Sequence, residues 1–135
     1  MNYIAARRFK SHCYSGPVNI PATTELEERD GLLSLNGAPI CLSTSQQAYD
    51  FFARNDDGCG MERGRLTAEI RKRLAKRDKG YQARWDRIWA DQRCQHFRRQ
   101  EHDDHWVWSF DFYNAEVADL QYILNLVKGV QLCCA

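Results

Sequence analysis

Residues 54–65, Arg54-Asn55-Asp56-Asp57-Gly58-Cys59-Gly60-Met61-Glu62-Arg63-Gly64-Arg65, put glycines where a loop meets a helix that opens with arginines. The first N–H groups of a helix have no intrahelical acceptor, and glycine lets an anion approach the backbone. Arg63 and Arg65, with Arg54 and Asn55 beside them, could hold a phosphate through paired N–H donors. The stretch is no Walker loop, because its spacing differs and the Lys-Ser/Thr pair is missing. Neither ligand spacing nor loop length matches an EF-hand. The same residues also admit a purely structural reading, in which Asp56 or Asp57 caps the helix.

Two helical stretches downstream carry many cations. Arg63, Arg65, Arg71, Lys72, Arg73, Lys76 and Arg77 lie on the first; Arg84, Arg87, Arg93, Arg98 and Arg99 lie on the second. Trp85 and Trp89 interleave with the latter, and basic side chains beside aromatics can hold phosphates and stack bases. Such a face is otherwise solvated or matched by carboxylates. Cys94, His96, His102 and His105 are zinc-ligand types, but their spacing is no standard zinc signature, and Cys94 and His96 diverge on a helix. Trp106, Trp108, Phe110 and Phe112 share one face if their segment is extended. They would cover a core or, through Trp106, stack on a base. Paired acids for a metal-dependent nuclease would have to come from Asp56, Asp57 and Glu62. No Gly-x-Ser-x-Gly is present, and no residue pattern points to a Cys–His dyad or a resident cofactor.

The charge is segregated. Residues 61–99 hold thirteen Lys/Arg against five Asp/Glu, residues 1–60 five against seven, and residues 100–135 one against six. The formal net of +1 hides this pattern. Like charges so close repel unless solvated or matched by a partner. The partner is either a polyanion or phosphorylated small molecule, or the acidic C-terminal third. A homo-oligomer would bring the basic middle of one copy to the acidic end of another.

The elements that must position these residues divide into a β-rich part, residues 1–43, and a helical part, residues 44–128, with a tail at 129–135. Tyr3–Tyr14 reads as one long strand, and Val18–Ile20 as a short one after the Gly16-Pro17 break. Thr24–Arg29, Leu32–Leu35 and Ala38–Leu42 follow, joined by Asp30-Gly31 and Asn36-Gly37, dipeptides that accept the positive φ of tight hairpins. A small curled sheet or an SH3-like barrel fits these lengths. Thr44-Ser45-Gln46-Gln47 reads as a capping box with Thr44 as cap, opening a helix to Arg54. Further helices are expected over 61–77 and 81–99. A fourth, capped by Asn114 and stopped by Gly129, has Val117, Leu120, Leu124 and Val127 as its seam. The expected fold is therefore α+β in a single domain, an N-terminal antiparallel meander packed against three to four C-terminal helices.

At 135 residues and 44 % apolar, the chain can build a core. No stretch approaches the ~20 apolar residues of a membrane span. Met1–Arg8 lacks the apolar stretch of a signal peptide, which sets the expectation of a cytoplasmic protein with its six cysteines reduced.

Several segments carry a likeness: Ala48-Tyr49-Asp50-Phe51-Phe52-Ala53-Arg54-Asn55-Asp56-Asp57-Gly58, Glu62-Arg63-Gly64-Arg65-Leu66, Tyr81-Gln82-Ala83-Arg84-Trp85-Asp86, Glu101-His102-Asp103-Asp104-His105-Trp106 and Asp111-Phe112-Tyr113-Asn114-Ala115. Across most of residues 1–128 the chain resembles a family of small uncharacterised proteins from phages and prophages of Gram-positive bacteria. The resemblance implies a genomic setting, in which small proteins often antagonise host antiviral defence. The expectation is a non-enzymatic binding protein that sequesters a nucleotide signal or blocks a defence protein. Arg54, Asn55, Arg63, Arg65, Arg84 and Arg87 would hold phosphate or an acidic surface, and Trp85 or Trp106 would stack. The alternatives are a DNA- or RNA-binding accessory protein and the nuclease already named.

Overall fold

A computed structural model describes residues 2–13, 16–95 and 115–129. The chain is α+β, with antiparallel strands toward its N-terminus and helices toward its C-terminus. It forms two compact units, Met1–Arg65 and Leu66–Ala135.

In the first unit the strands are β1 (Asn2–Ala5), β2 (Phe9–Cys13), β3 (Gly16–Ile20), β4 (Glu25–Arg29), β5 (Leu32–Leu35) and β6 (Ala38–Leu42). After these come α1 (Gln46–Phe51) and β7 (Phe52–Arg54). Five strands make a sheet in the order β6-β5-β4-β1-β7, while β2 and β3 pair as a separate ribbon. Of the two arrangements the strand lengths allow, the described strands make the sheet. Both hairpin dipeptides act as expected: φ is positive at Asp30 (54°) and Gly31 (81°), and at Asn36 (52°) and Gly37 (84°).

The expected strand from Tyr3 to Tyr14 is instead two strands in different sheets. A continuous strand would place Arg7 on the same face as Tyr3, Ala5 and Phe9. The chain bends after Ala5, and the Ala6 N–H donates to the Phe51 carbonyl at 2.8 Å. Arg7 then lies exposed across the Phe51 ring, 4.2 Å from its centroid. Phe9 turns inward and meets Phe51 and Phe52, both at 5.1 Å between centroids.

The first helix is shorter than its pattern implies. Its cap is Ser45, not Thr44: the Ser45 Oγ accepts from the Ala48 N–H at 3.2 Å. The helix stops at Phe51, and Phe52–Arg54 pair with β1 in the register Tyr3↔Arg54, Ile4↔Ala53, Ala5↔Phe52. Phe52 and Ala53, paired with β1, are completely buried. That burial contributes roughly 2–3 kcal/mol for the phenylalanine and overrides weak local helix propensity.

The helix α2 (Gly60–Ala75) starts in the first unit and ends in the second. Its opening turns run close to β1. A Cβ built on Gly60 would lie 2.4 Å from the Ile4 side chain, and one on Gly64 would lie 2.3 Å from the Ala6 Cβ. The spacing Gly60-x-x-x-Gly64 therefore sets a close helix–strand approach. It explains why Tyr3, Ile4 and Ala5 are all buried although a strand alternates its faces.

The second unit adds α3 (Tyr81–Ala90), α4 (Gln92–Gln95) and α5 (Val117–Lys128). Leu66, Ile70 and Leu74, one helical turn apart, join Ile88 and Cys94 with Leu120, Ile123, Leu124 and Val127 in one buried cluster. The expected helix over 81–99 is interrupted at Asp91. Its backbone is extended, and its carboxylate accepts from the Cys94 N–H at 3.1 Å and from the Tyr122 hydroxyl at 2.5 Å. An aspartate that finds acceptor work of this kind favours a cap over a helix interior. Glu116 is the N-cap of α5, and the expected cap Asn114 lies outside the described residues. Gly129 ends α5 in the left-handed conformation at φ 75°, as the sequence implies.

Gly64→Ala should be destabilising. A better helix former gains about 1 kcal/mol, whereas overpacking against Ala6 costs about 1–3 kcal/mol. The expected net loss, read by urea unfolding, should be recovered in part by the double substitution Ala6→Gly/Gly64→Ala. An unchanged midpoint in Gly64→Ala would contradict the close approach.

Candidate functional site

The loop at the start of α2 satisfies its own polar groups. The Asn55 Oδ1 accepts from the Gly60 N–H at 2.8 Å, the Asp56 Oδ1 from the Asn2 N–H at 2.7 Å, and the Asp57 Oδ1 from the Cys59 N–H at 3.0 Å. Arg63, one turn into α2, reaches back with a fully buried side chain. Its Nη1 donates to the Arg54 carbonyl at 2.9 Å and to the Asp57 Oδ1 at 2.7 Å, and its Nη2 donates to the Asp57 Oδ2 at 2.5 Å. This bidentate pair, with help from the Cys59 N–H, holds the Asp57 carboxyl well below the usual carboxylate range. Arg65 is exposed and forks onto Glu62 at 3.0 and 2.5 Å. Arg54 is half-buried on β7. Of the four candidates, Arg63 meets the Arg54 carbonyl and Asp57, and Asn55 closes the loop onto Gly60, whereas Arg65 lies on the exposed side of α2 with Glu62.

Arg84, Trp85 and Arg87 lie elsewhere, on α3 in the second unit. The Arg84 Nη1 donates to the Asp78 Oδ1 at 2.8 Å, and its Nη2 donates to the Lys76 carbonyl. Arg87 closes the C-terminal end of α5: its Nε donates to the Leu126 carbonyl at 2.9 Å and its Nη2 to the Val127 carbonyl at 3.0 Å. Cations suit this end of a helix, where carbonyls lack intrahelical partners. Trp85 is half-buried against the helical core and meets the Tyr81 ring edge-on at 6.4 Å.

These arginines border a cleft of about 200 Å³ formed by the end of α2, the start of α3 and the end of α5. Five cationic residues line it, Arg73, Lys76, Arg84, Arg87 and Lys128, against one carboxylate, Asp78. Asp78 accepts from the Gly80 N–H at 3.0 Å and lies 4.0 Å from the Lys76 ammonium. The Arg84 hydrogen bond, then the Gly80 N–H and the nearby cations, lower its pKa. Arg73 is also bonded to Glu69 at 3.0 Å. Arg73 and Lys76 belong to the cationic helical stretch that the sequence offers for phosphate binding, and Lys128 does not. The signal available for Lys128 is that it is the one cation after residue 99.

Trp106 and the three histidines of the Cys94 cluster lie outside the described residues. Cys94 itself is fully buried, and desolvation pushes its thiol up to about 12, which makes it a core residue of low reactivity. Among the described residues no group of three or more His, Cys, Asp or Glu is placed to hold a metal ion. Of the acids considered for a nuclease, Asp56 serves a backbone amide, Asp57 serves Arg63, and Glu62 serves Arg65. No described helix is long and apolar enough to cross a membrane. Comparison of the chain with protein-family models, curated proteins and solved structures finds no match.

The Asp57–Arg63 pair should register in acid stability. The folded carboxyl titrates below the unfolded value of about 3.9, so the unfolded chain binds the proton first as pH falls. The stabilisation is present above about pH 4 and is lost as pH falls through the lower folded value. Asp57→Asn should cost about 1–3 kcal/mol at pH 7, less than a wholly buried pair because solvent reaches the carboxylate. Denaturant midpoints across pH 2–7 should show the gap to wild type closing below pH 4; a gap independent of pH would contradict this assignment.

Proposed function

We propose that this chain is a non-enzymatic binding protein that captures a phosphorylated small molecule in the cleft lined by Arg84 and Arg87. Given the resemblance to phage proteins, the captured molecule is a nucleotide signal of host defence. The observation that supports this reading is the excess of cations in the lining of a concave space, where Lys76, Arg84, Arg87 and Lys128 face one carboxylate and a fifth cation, Arg73, is matched to Glu69. Arg87 is held by backbone carbonyls, which fix its direction without cancelling its charge. Arg84 is held partly the same way, by the Lys76 carbonyl. Fixed cations need little reorganisation when an anion arrives, and this lowers the entropic cost of binding.

The cleft is favoured over a continuous nucleic-acid-binding stripe by the pairing elsewhere. Arg65–Glu62 and Arg73–Glu69 are matched along α2, and Arg93 meets Asp119 at 2.6 Å. These contacts remove much of the unbroken positive face that a polyanion would follow.

Titration calorimetry at low salt should detect nucleoside phosphates. Replacing two exposed cleft cations, in Lys76→Glu/Lys128→Glu, should weaken binding at least tenfold, whereas Arg65→Glu should change it less than twofold. Duplex and single-stranded DNA should bind weakly under the same conditions. Failure of every phosphorylated compound to bind at millimolar concentration would overturn the reading.

A further inference from the structure

We propose that the cleft takes the terminal phosphoryl end of its ligand and leaves the base outside, so that it selects phosphomonoester ends over cyclic phosphodiesters. This rests on the phosphate-capture reading and narrows it to a class of ligand.

Size is the first argument. The space is about 200 Å³, whereas sites that enclose most of a drug-sized ligand span roughly 300–1,000 Å³. One or two phosphoryl groups fill such a space, and the rest of a nucleotide would extend past its open mouth. The lining is the second argument. None of the described residues that line the cleft is aromatic. Tyr81 already carries the Arg77 guanidinium 5.0 Å from its ring centroid, and Trp85 packs on the core. Among the described residues the cleft therefore offers no stacking platform to a base, and stacking is the main sequence-tolerant way to hold one.

Charge is the third argument. A phosphomonoester end carries between one and a half and about two negative charges at pH 7, and a phosphodiester carries about one. A surplus of cations rewards the more highly charged group. Asp78 already takes the Gly80 N–H and the Arg84 Nη1, the position an anion would otherwise fill at the start of α3. The incoming phosphoryl group is thereby directed to Arg87, Lys76 and Lys128, beside a carboxylate that competes with it. Asp78→Asn keeps an oxygen for the Gly80 N–H and removes that competition.

Calorimetry on the full chain at fixed salt and pH 7.5 with pyrophosphate, ADP, GDP, 3′,5′-cyclic AMP and adenosine tests this. Pyrophosphate, ADP and GDP should agree within about threefold, cyclic AMP should bind at least tenfold more weakly, and adenosine should not bind. Asp78→Asn should tighten ADP binding severalfold, and circular dichroism would establish that the variant folds. Cyclic AMP matching ADP, or tenfold discrimination between ADP and GDP, would overturn this inference and leave the capture reading standing. No binding by any phosphorylated compound would overturn both.

Discussion

A guanidinium that cannot shed its charge, buried with no exposed surface, is the constraint on which the first unit depends. Arg63 satisfies that charge by joining three places in the chain: the last carbonyl of β7, the carboxylate of Asp57 in the loop, and the first turns of α2. Desolvating the pair offsets much of its Coulombic gain, so its contribution lies as much in geometry as in net stability. Removing any one contact would leave a buried charge short of a partner. The loop is held in register by this requirement, and the same register places Gly60 and Gly64 against Ile4 and Ala6.

The chain spends its arginines in two physically different ways. Arg63, Arg65 and Arg93 face carboxylates and are locally neutralised. Arg87, and in part Arg84, face backbone carbonyls, which accept hydrogen bonds but carry no net charge. The positive field of Arg87 therefore survives into the space beside it, while that of Arg84 is shared with Asp78. The cleft owes its electrostatic character to this second use, and its shape to the three helix ends that meet there.

Cys94 and Asp91 illustrate how one residue can redirect a segment. Asp91 caps α4 and receives the Tyr122 hydroxyl from α5, so a helix that its apolar spacing would extend is divided. The division buries the Cys94 thiol, whose protonated form then persists far above neutral pH. Read as a ligand type in the sequence, this cysteine is in the fold a small core residue.

Some of the architecture is written locally. Asp30-Gly31 and Asn36-Gly37 specify hairpins because only a few residue types tolerate positive φ, and Gly129 ends α5 for the same reason. The apolar seams of α2 and α5 follow from the 3.6-residue period, and the excess of cations in the middle of the chain is simple addition. The bend at Ala6, the strand β7 and the inward course of Arg63 depend on residues distant in sequence, so local pattern could not supply them. The candidate site was legible in part: Arg73, Lys76, Arg84 and Arg87 stood out as cations, but Lys128 gained meaning only when the ends of α2 and α5 met. Charge and hydrogen-bond energies depend on distance in space, and the sequence fixes only distance along the chain. Which cation is neutralised and which keeps its field was therefore decided by the tertiary structure.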